Sequence, residues 1–339
     1  INPGNKFEKK HFARDHIEGI DDPLHLHSPR TEYIFETPKT IVNTVESPDL
    51  QMMHSLNPYQ GCEHGCAYCY ARNTHEYWGF SAGLDFETKV VVKKNAPELL
   101  ERFLLKRNWK ASPIALSGNT DCYQPAERKF RITRALLEVF LKYQHPVGII
   151  TKNSLIIRDL DLLAELASNR LVHVYFSVTT LDDKLRRILE PRTATAHAKL
   201  MAMEKLAEAG VPVGVMNAPI IPGLNEHEIP DVIKRSAEAG AVSAGYTVVR
   251  LNGPISTIFY SWLKRHFPDR ASKVWNKVKS LHGGAVNDSE WERRIKGEGQ
   301  ISETIKQLFN QSRKRYMPGP GLPDYDLGKF SKSGTLSLF

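Results

Sequence analysis

"YQGCEHGCAYCYARN", residues 59–73, holds three of the chain's four cysteines within eight positions: Cys62, Cys66 and Cys69. A structural zinc site needs four ligands, usually two close pairs separated by a longer loop. A disulfide framework needs an even number of cysteines spread through a small secreted domain. The spacing C-x3-C-x2-C fits neither. Three thiolates placed this way can hold three corners of a cubane iron–sulfur cluster and leave the fourth iron without a protein ligand. Gly61 and Gly65 give the backbone the freedom that a tight loop around such a cluster requires.

The remaining composition bounds the reading. With 339 residues, 41% of them hydrophobic, the chain can bury a substantial core as one large domain with additions or as two smaller ones. No run approaches the roughly eighteen apolar residues needed to span a bilayer, and nothing near the start reads as a signal peptide, so no membrane association is expected. Thiols meant for iron must stay reduced, which points to the cytoplasm. Lys plus Arg number 46 against 38 Asp plus Glu, a formal charge of +8, which favours polyanions such as nucleic acid but also suits an ordinary soluble enzyme.

Around the cysteine stretch the chain alternates short apolar runs with longer amphipathic ones. Strands are expected at "MMHSLNPY", "SPIALSG" (112–118), "PVGIITK" (146–152), "LVHVYFSVT" (171–179), "VPVGVMNAPI" (211–220) and "SAGYTVVR" (243–250). Helices are expected between them. In "ERKFRITRALLEVFLKY", Ile132, Leu136, Leu137, Phe140 and Leu141 recur at helical spacing and would face a sheet. Gly210 and Gly240 follow helices as residues just past a C-terminus do. Six strand–helix repeats imply a parallel sheet with right-handed crossovers, either a partly open barrel or a doubly wound sheet. In both, chemistry belongs at the C-terminal ends of the strands, where the cysteine loop lies. Residues 1–52 read as an arm, whose Ile34, Phe35, Ile41 and Val42 suggest one or two short edge strands. After about residue 256 the sequence turns helical, basic and aromatic.

A C-x3-C-x2-C loop directly after the first strand of a six-fold β/α unit is the signature of the radical S-adenosylmethionine superfamily. Taken with "ALSGNTDCYQP", "ITKN", "SVTTLD", "LEPR" and "GVPVGVMNAPIIPGLNEHE", the chain resembles the spore photoproduct lyase-related branch, often labelled DNA repair photolyase, and is closest to members outside spore-formers. The resemblance covers most of the chain and is most specific between residues 55 and 255. It implies an α/β fold: a partial (β/α)6 barrel over 53–255, with the N-terminal arm (1–52) and a helical C-terminal extension (256–339). It also implies a [4Fe-4S] cluster on Cys62, Cys66 and Cys69 whose open iron chelates S-adenosyl-L-methionine. Electron transfer from the reduced cluster then gives a 5′-deoxyadenosyl radical, so a reductant such as flavodoxin or ferredoxin is an implied partner.

The same resemblance assigns residues to the cofactor. Tyr68, before the last cysteine, would line the adenine pocket. Ser117, Gly118 and Asn119 in "SGNTD" would receive its amino end, Lys152 and Ser177 its carboxylate and ribose, and Gly223 and Leu224 would cover the adenine. Arg192 in "LEPR" could pair with the carboxylate or, equally, with Glu190. Asn225 could simply cap the helix that follows. Cys122 is a candidate hydrogen donor, with Tyr123 as a relay, although the lyase-type cysteine would fall a few residues earlier, near Asn119; the other reading of Cys122 is a small core hydrophobe. The basic aromatic segments "KRNWK" (106–110), "WLKRHF" (262–267) and "SRKRY" (312–316) could stack bases on Trp109, Trp262 or Tyr316, or could bury those rings and solvate their charges.

The expectation is therefore a radical S-adenosylmethionine enzyme that abstracts hydrogen from a substrate at the barrel mouth. The first candidate substrate is a thymine-derived DNA lesion. The alternatives are another nucleotide, RNA or natural product, or, in a different class, a nucleic-acid-binding protein with a structural or redox-sensing cluster.

Overall fold

The computed structural model describes residues 3, 31–49, 53–291 and 293–334. The charged stretch "KFEKKHFARDH" of the expected arm lies outside the described residues.

Ten strands form among the described residues: β1 (Glu32–Glu36), β2 (Val42–Thr44), β3 (His54–Leu56), β4 (Tyr59–Gln60), β5 (Lys89–Lys93), β6 (Ile114–Leu116), β7 (Val147–Thr151), β8 (Val172–Ser177), β9 (Val213–Ile220) and β10 (Ser243–Val248). The main sheet runs β10-β9-β8-β7-β6-β3-β2. Its β3 and β6–β10 are the six expected parallel strands, and β2 is an antiparallel edge beside β3. The two edge strands suggested by residues 34–42 both form, but in different sheets. β1 joins a smaller sheet, β1-β5-β4, that the sequence reading did not anticipate. "KVVVK" is too short a run to separate from a buried helix segment by pattern alone.

The sheet is curled rather than flat. The Tyr70 hydroxyl donates to the Gly118 carbonyl beyond β6 (2.7 Å), while the Arg250 guanidinium beyond β10 stands 5.7 Å from the centroid of the Tyr70 ring. In a flat sheet strands four places apart would lie about 19 Å from one another, more than one tyrosine can span with contacts at both ends. Among the described residues β10 and β2 are unpaired edges, so the architecture is the partial barrel.

Helices cover the outside. "ERKFRITRALLEVFLKY" forms two, Ala126–Phe130 and Ile132–Lys142, because Arg131 turns left-handed at φ 53°. Ile132, Leu136, Leu137 and Phe140 face the core as expected, while Leu141 is only partly buried. One apolar cluster fills the space between sheet and helices; a second joins Cys66, Ala67 and Tyr68 to Leu224 and to the helices Ile255–His266 and Ala271–Ser280. The C-terminal helices thus wall the cysteine loop. No helix among the described residues is long and apolar enough to cross a membrane.

The return from helix Ile229–Glu238 into β10 depends on Gly240, which holds φ +86°. A Cβ there would stand 2.5 Å from the Ala207 Cβ on the neighbouring helix. Left-handed strain and overpacking act together, so Gly240→Ala is expected to cost about 2 kcal/mol or more, read as a lower urea midpoint with an unchanged slope.

Candidate active site

The cysteine loop leaves β4, which pairs with β5, so two short strands rather than one precede it. Its shape depends on both glycines. Gly61 (φ +82°) would drive a Cβ to 2.7 Å from the Lys89 carbonyl, and Gly65 (φ +70°) to 2.8 Å from both Arg192 Nη2 and Glu87 Oε2. Arg72, fully buried, straps the loop from behind. It donates to the carbonyls of Cys66 (3.0 Å) and Gly83 (2.8 Å) and pairs with Glu87 at 2.5 Å.

Cys62, Cys66 and Cys69 are free thiols, the first two buried and the third nearly so. Burial raises all three above the usual thiol value; Lys152 opposes it at Cys66, and Arg72 opposes it at Cys69. Thiols so placed ionise when a metal centre supplies the compensating charge. Among the described residues no three His, Cys, Asp or Glu side chains converge on one ion. Ligands to a cubane bind three separate irons, one thiolate each, so three thiols on one loop fit the cluster. Cys122 belongs to the main core.

Beyond the loop, the strand ends supply one dense polar group. Glu190, fully buried, accepts from Tyr68 Oη (2.5 Å), Thr179 Oγ1 (3.1 Å) and Lys199 Nζ (3.2 Å), with Lys152 Nζ at 3.9 Å. Lys152, just past β7, also donates to Ser177 Oγ and, at 3.4 Å, to the Ala218 carbonyl. Tyr68, Lys152 and Ser177 are thus brought together. Asn217, on β9 beside Ala218, is 2% exposed and donates to the Val178 carbonyl (2.9 Å), but its Oδ1 is buried without a partner. That oxygen and the Lys152 ammonium are suited to the polar groups of an amino-acid-bearing cofactor.

The "SGNTD" turn is held largely by its own side chains. Ser117 (φ 81°) accepts from Cys122 N (2.7 Å), and the amides of Asn119 and Thr120 both donate to Asn57 Oδ1. Asn119 Nδ2 donates to Gln60 and Thr74. Asp121 accepts from Thr151 Oγ1 (2.8 Å) and Lys152 N (2.7 Å) and lies 3.5 Å from His64, whose burial lowers its pKa. Leu224 shares the second apolar cluster with Cys66 and Tyr68, while Gly223 packs on Val274. Asn225 makes no cap; it ties Ile221 N (2.7 Å) to the carbonyls of Thr179 (2.7 Å) and Pro219 (3.1 Å).

Three expected residues stand elsewhere. Arg192 does not pair with Glu190; it donates to the Glu63 carbonyl and pairs with Glu87 (2.8 Å) behind the loop. Cys122 and Tyr123 are both 0% exposed, and the Tyr123 hydroxyl donates to Asp159 (3.1 Å), inside an ion-pair group with Arg134 and Arg158. Core packing claims both side chains. The three rings of the basic segments are half-buried: Trp109 donates to His145 (3.1 Å), Trp262 to the Ile188 carbonyl (2.7 Å), and Tyr316 packs on the core.

The Radical SAM superfamily model matches residues 56–235, the stretch that carries the cysteine loop and the strand ends through β9. The chain belongs to that superfamily. This radical SAM chain is 35% identical over 238 residues to an uncharacterised protein of Mycobacterium tuberculosis (strain ATCC 25618 / H37Rv), covering 69% of this chain and 70% of that one. It is 27% identical over 240 residues to an uncharacterised protein of Methanocaldococcus jannaschii, covering 71% and 85%. Among solved structures, a spore photoproduct lyase variant aligns at TM-score 0.63 and 14% identity, over 85% of this chain and 80% of that one. A second variant, with bound AdoMet and dinucleoside spore photoproduct, aligns over the same shares at TM-score 0.58 and 15% identity. The shared fold includes the helical C-terminal region, and the superfamily's cofactors are a [4Fe-4S] cluster and S-adenosylmethionine.

Burial alone would raise the Glu190 carboxyl, but Lys199, then Lys152 and the Tyr68 hydroxyl, hold it at about 2. This lies below the ordinary value of about 4.3. The stabilisation is therefore complete above that value and is lost as the pH falls towards 2. Lys199→Met leaves the carboxylate short of a counter-ion and is expected to cost about 3–5 kcal/mol at pH 7 in urea unfolding. The gap to the wild type should narrow below about pH 4, and Lys199→Met/Glu190→Met should recover part of the loss.

Proposed function

We propose that this radical SAM enzyme acts on a thymine-derived lesion or a closely related nucleotide in nucleic acid, bound at the open end of the barrel. The observation that carries the radical half of this reading is the three-thiol loop, tied by Tyr68 to the Lys152–Ser177–Glu190 group. The nucleic-acid half is supported by the chain-wide likeness to a fold whose solved examples hold a dinucleoside spore photoproduct, and by the chain's positive charge.

When bound, the cluster and S-adenosylmethionine supply a one-electron cleavage that yields a carbon radical able to abstract hydrogen. The chain's own residues orient and shield. Tyr68 is fixed against Glu190 so that its ring cannot swing, Lys152 offers a cation for a carboxylate, and the second apolar cluster keeps water from the back of the loop. The electron comes from a one-electron donor of the flavodoxin or ferredoxin type.

The deciding experiment is anaerobic reconstitution with iron and sulfide, reduction with S-adenosylmethionine, and quantification of 5′-deoxyadenosine with and without ultraviolet-irradiated spore-type DNA. Stimulated cleavage with thymine restored is the expected result; cleavage indifferent to irradiated DNA removes the lesion. Cys62→Ala is expected to lose both cluster absorbance and all cleavage.

The burial of Cys122 favours a second reading, radical modification of an undamaged nucleotide, RNA or natural product, because a hydrogen donor sealed in the core does not serve a product radical at the mouth. Cys122→Ala is expected to lower stability by about 1–2 kcal/mol and to leave cluster absorbance, 5′-deoxyadenosine yield and product distribution unchanged. A changed product distribution would return Cys122 to the reaction.

A further inference from the structure

Arg250 stands two residues beyond β10, half-buried, on the rim of the open end. No described group bonds to its guanidinium. The nearby carboxylate of Asp49 is held by Arg294, through both oxygens at 2.7 Å, and Arg294 itself adds a second positive charge beside Arg250. The ring of Tyr70 lies 5.7 Å away, and its side chain is 47% exposed. A cation drawn partly out of water is costly, and burial, with Arg294 beside it, pulls the Arg250 pKa below its ordinary value although Asp49 partly opposes this.

A second, independent feature adjoins it. Asn73 Nδ2 donates to the Asn252 carbonyl (3.0 Å), and the Oδ1 atoms of both asparagines are buried without a partner. Among the described residues, neighbouring positions of the rim thus carry a guanidinium fork without a bonded acceptor, two amide oxygens without donors and an exposed aromatic ring. Buried polar groups in native proteins are rarely left this way without a ligand to meet them. An anionic oxygen suits the fork, ring N–H groups suit the amides, and a planar base suits the tyrosine.

We propose that Arg250 binds a phosphodiester of the substrate, with Asn73 and Asn252 accepting from the N–H groups of an adjacent base. The assignment rests on the nucleic-acid reading above and specifies the group recognised. Its test uses the reconstituted protein with S-adenosylmethionine and two fluorescent probes: a single-stranded thymidine octamer, and the same octamer with neutral methylphosphonates at its central linkages. The wild type is expected to bind the charged octamer about tenfold more tightly than the neutral one, the scale of one charge-assisted bond. Arg250→Gln should abolish that ratio and reduce the salt slope by about 0.7, the value for one phosphate contact on a single strand. Cluster absorbance and S-adenosylmethionine binding should stay unchanged, and Arg250→Lys should keep part of the ratio. Lys273→Gln, at an exposed position and with the same change in charge, should weaken both probes equally. A ratio that survives in Arg250→Gln overturns the assignment alone. Failure of the wild type to bind either octamer overturns the nucleic-acid reading and the assignment with it.

Discussion

A carboxylate with no contact to water must be answered by cations and donors, and Glu190 is answered from four directions. Lys199 reaches it from the helix Ala196–Glu208, Lys152 from the end of β7, Thr179 from beyond β8, and Tyr68 from the cysteine loop. Each partner alone would leave a buried charge under-compensated. Together they fix the loop to the strand ends, so the three thiols and the polar groups at the strand ends share one frame. The strap of Arg72 to Cys66, Gly83 and Glu87 fixes the same loop from its other side. Held on both faces, the loop presents its three thiols beside the strand ends.

The division of the interior follows from this frame. The main cluster is an ordinary strand–helix core, and it absorbs Cys122 and Tyr123 because their neighbours on β6 and on the helix Ile132–Lys142 are apolar. The second cluster is built of residues far apart in sequence, with Ile255 and Phe259 packed against the segment that carries Cys66 and Tyr68. The C-terminal helices are therefore part of the cysteine loop's enclosure, although the sequence around them announces only charge and aromatics.

Much of the fold was legible because periodicity reports burial. The six parallel strands appear where alternation and short apolar runs end in turn residues, and Gly210 and Gly240 take the left-handed conformation expected of them. The three cysteines were legible because their spacing excludes other uses. Glu190 and Asp121 lay within quoted motifs, yet a lone acid reads as solvated until its partners are known. Lys199 gave no signal at all, since a lysine on an amphipathic helix is normally at the surface, and its burial is decided by Glu190 in another element. The small sheet β1-β5-β4 and the left-handed break at Arg131 were missed for a related reason: both are set by contacts across the fold rather than by local pattern.

The edges of the main sheet carry a mechanical consequence. A closed barrel draws its stiffness from an unbroken hoop of backbone hydrogen bonds. Here the hoop is interrupted between β10 and β2, and across that interval Arg294, in the short helix Arg293–Lys296 beside β10, clasps Asp49 and Ser47 beyond β2. The rim is rigid where strands pair and compliant where an ion pair fastens it. At that interval the two ends of the sheet are joined by side chains alone, so their separation is set by one guanidinium rather than by a ladder.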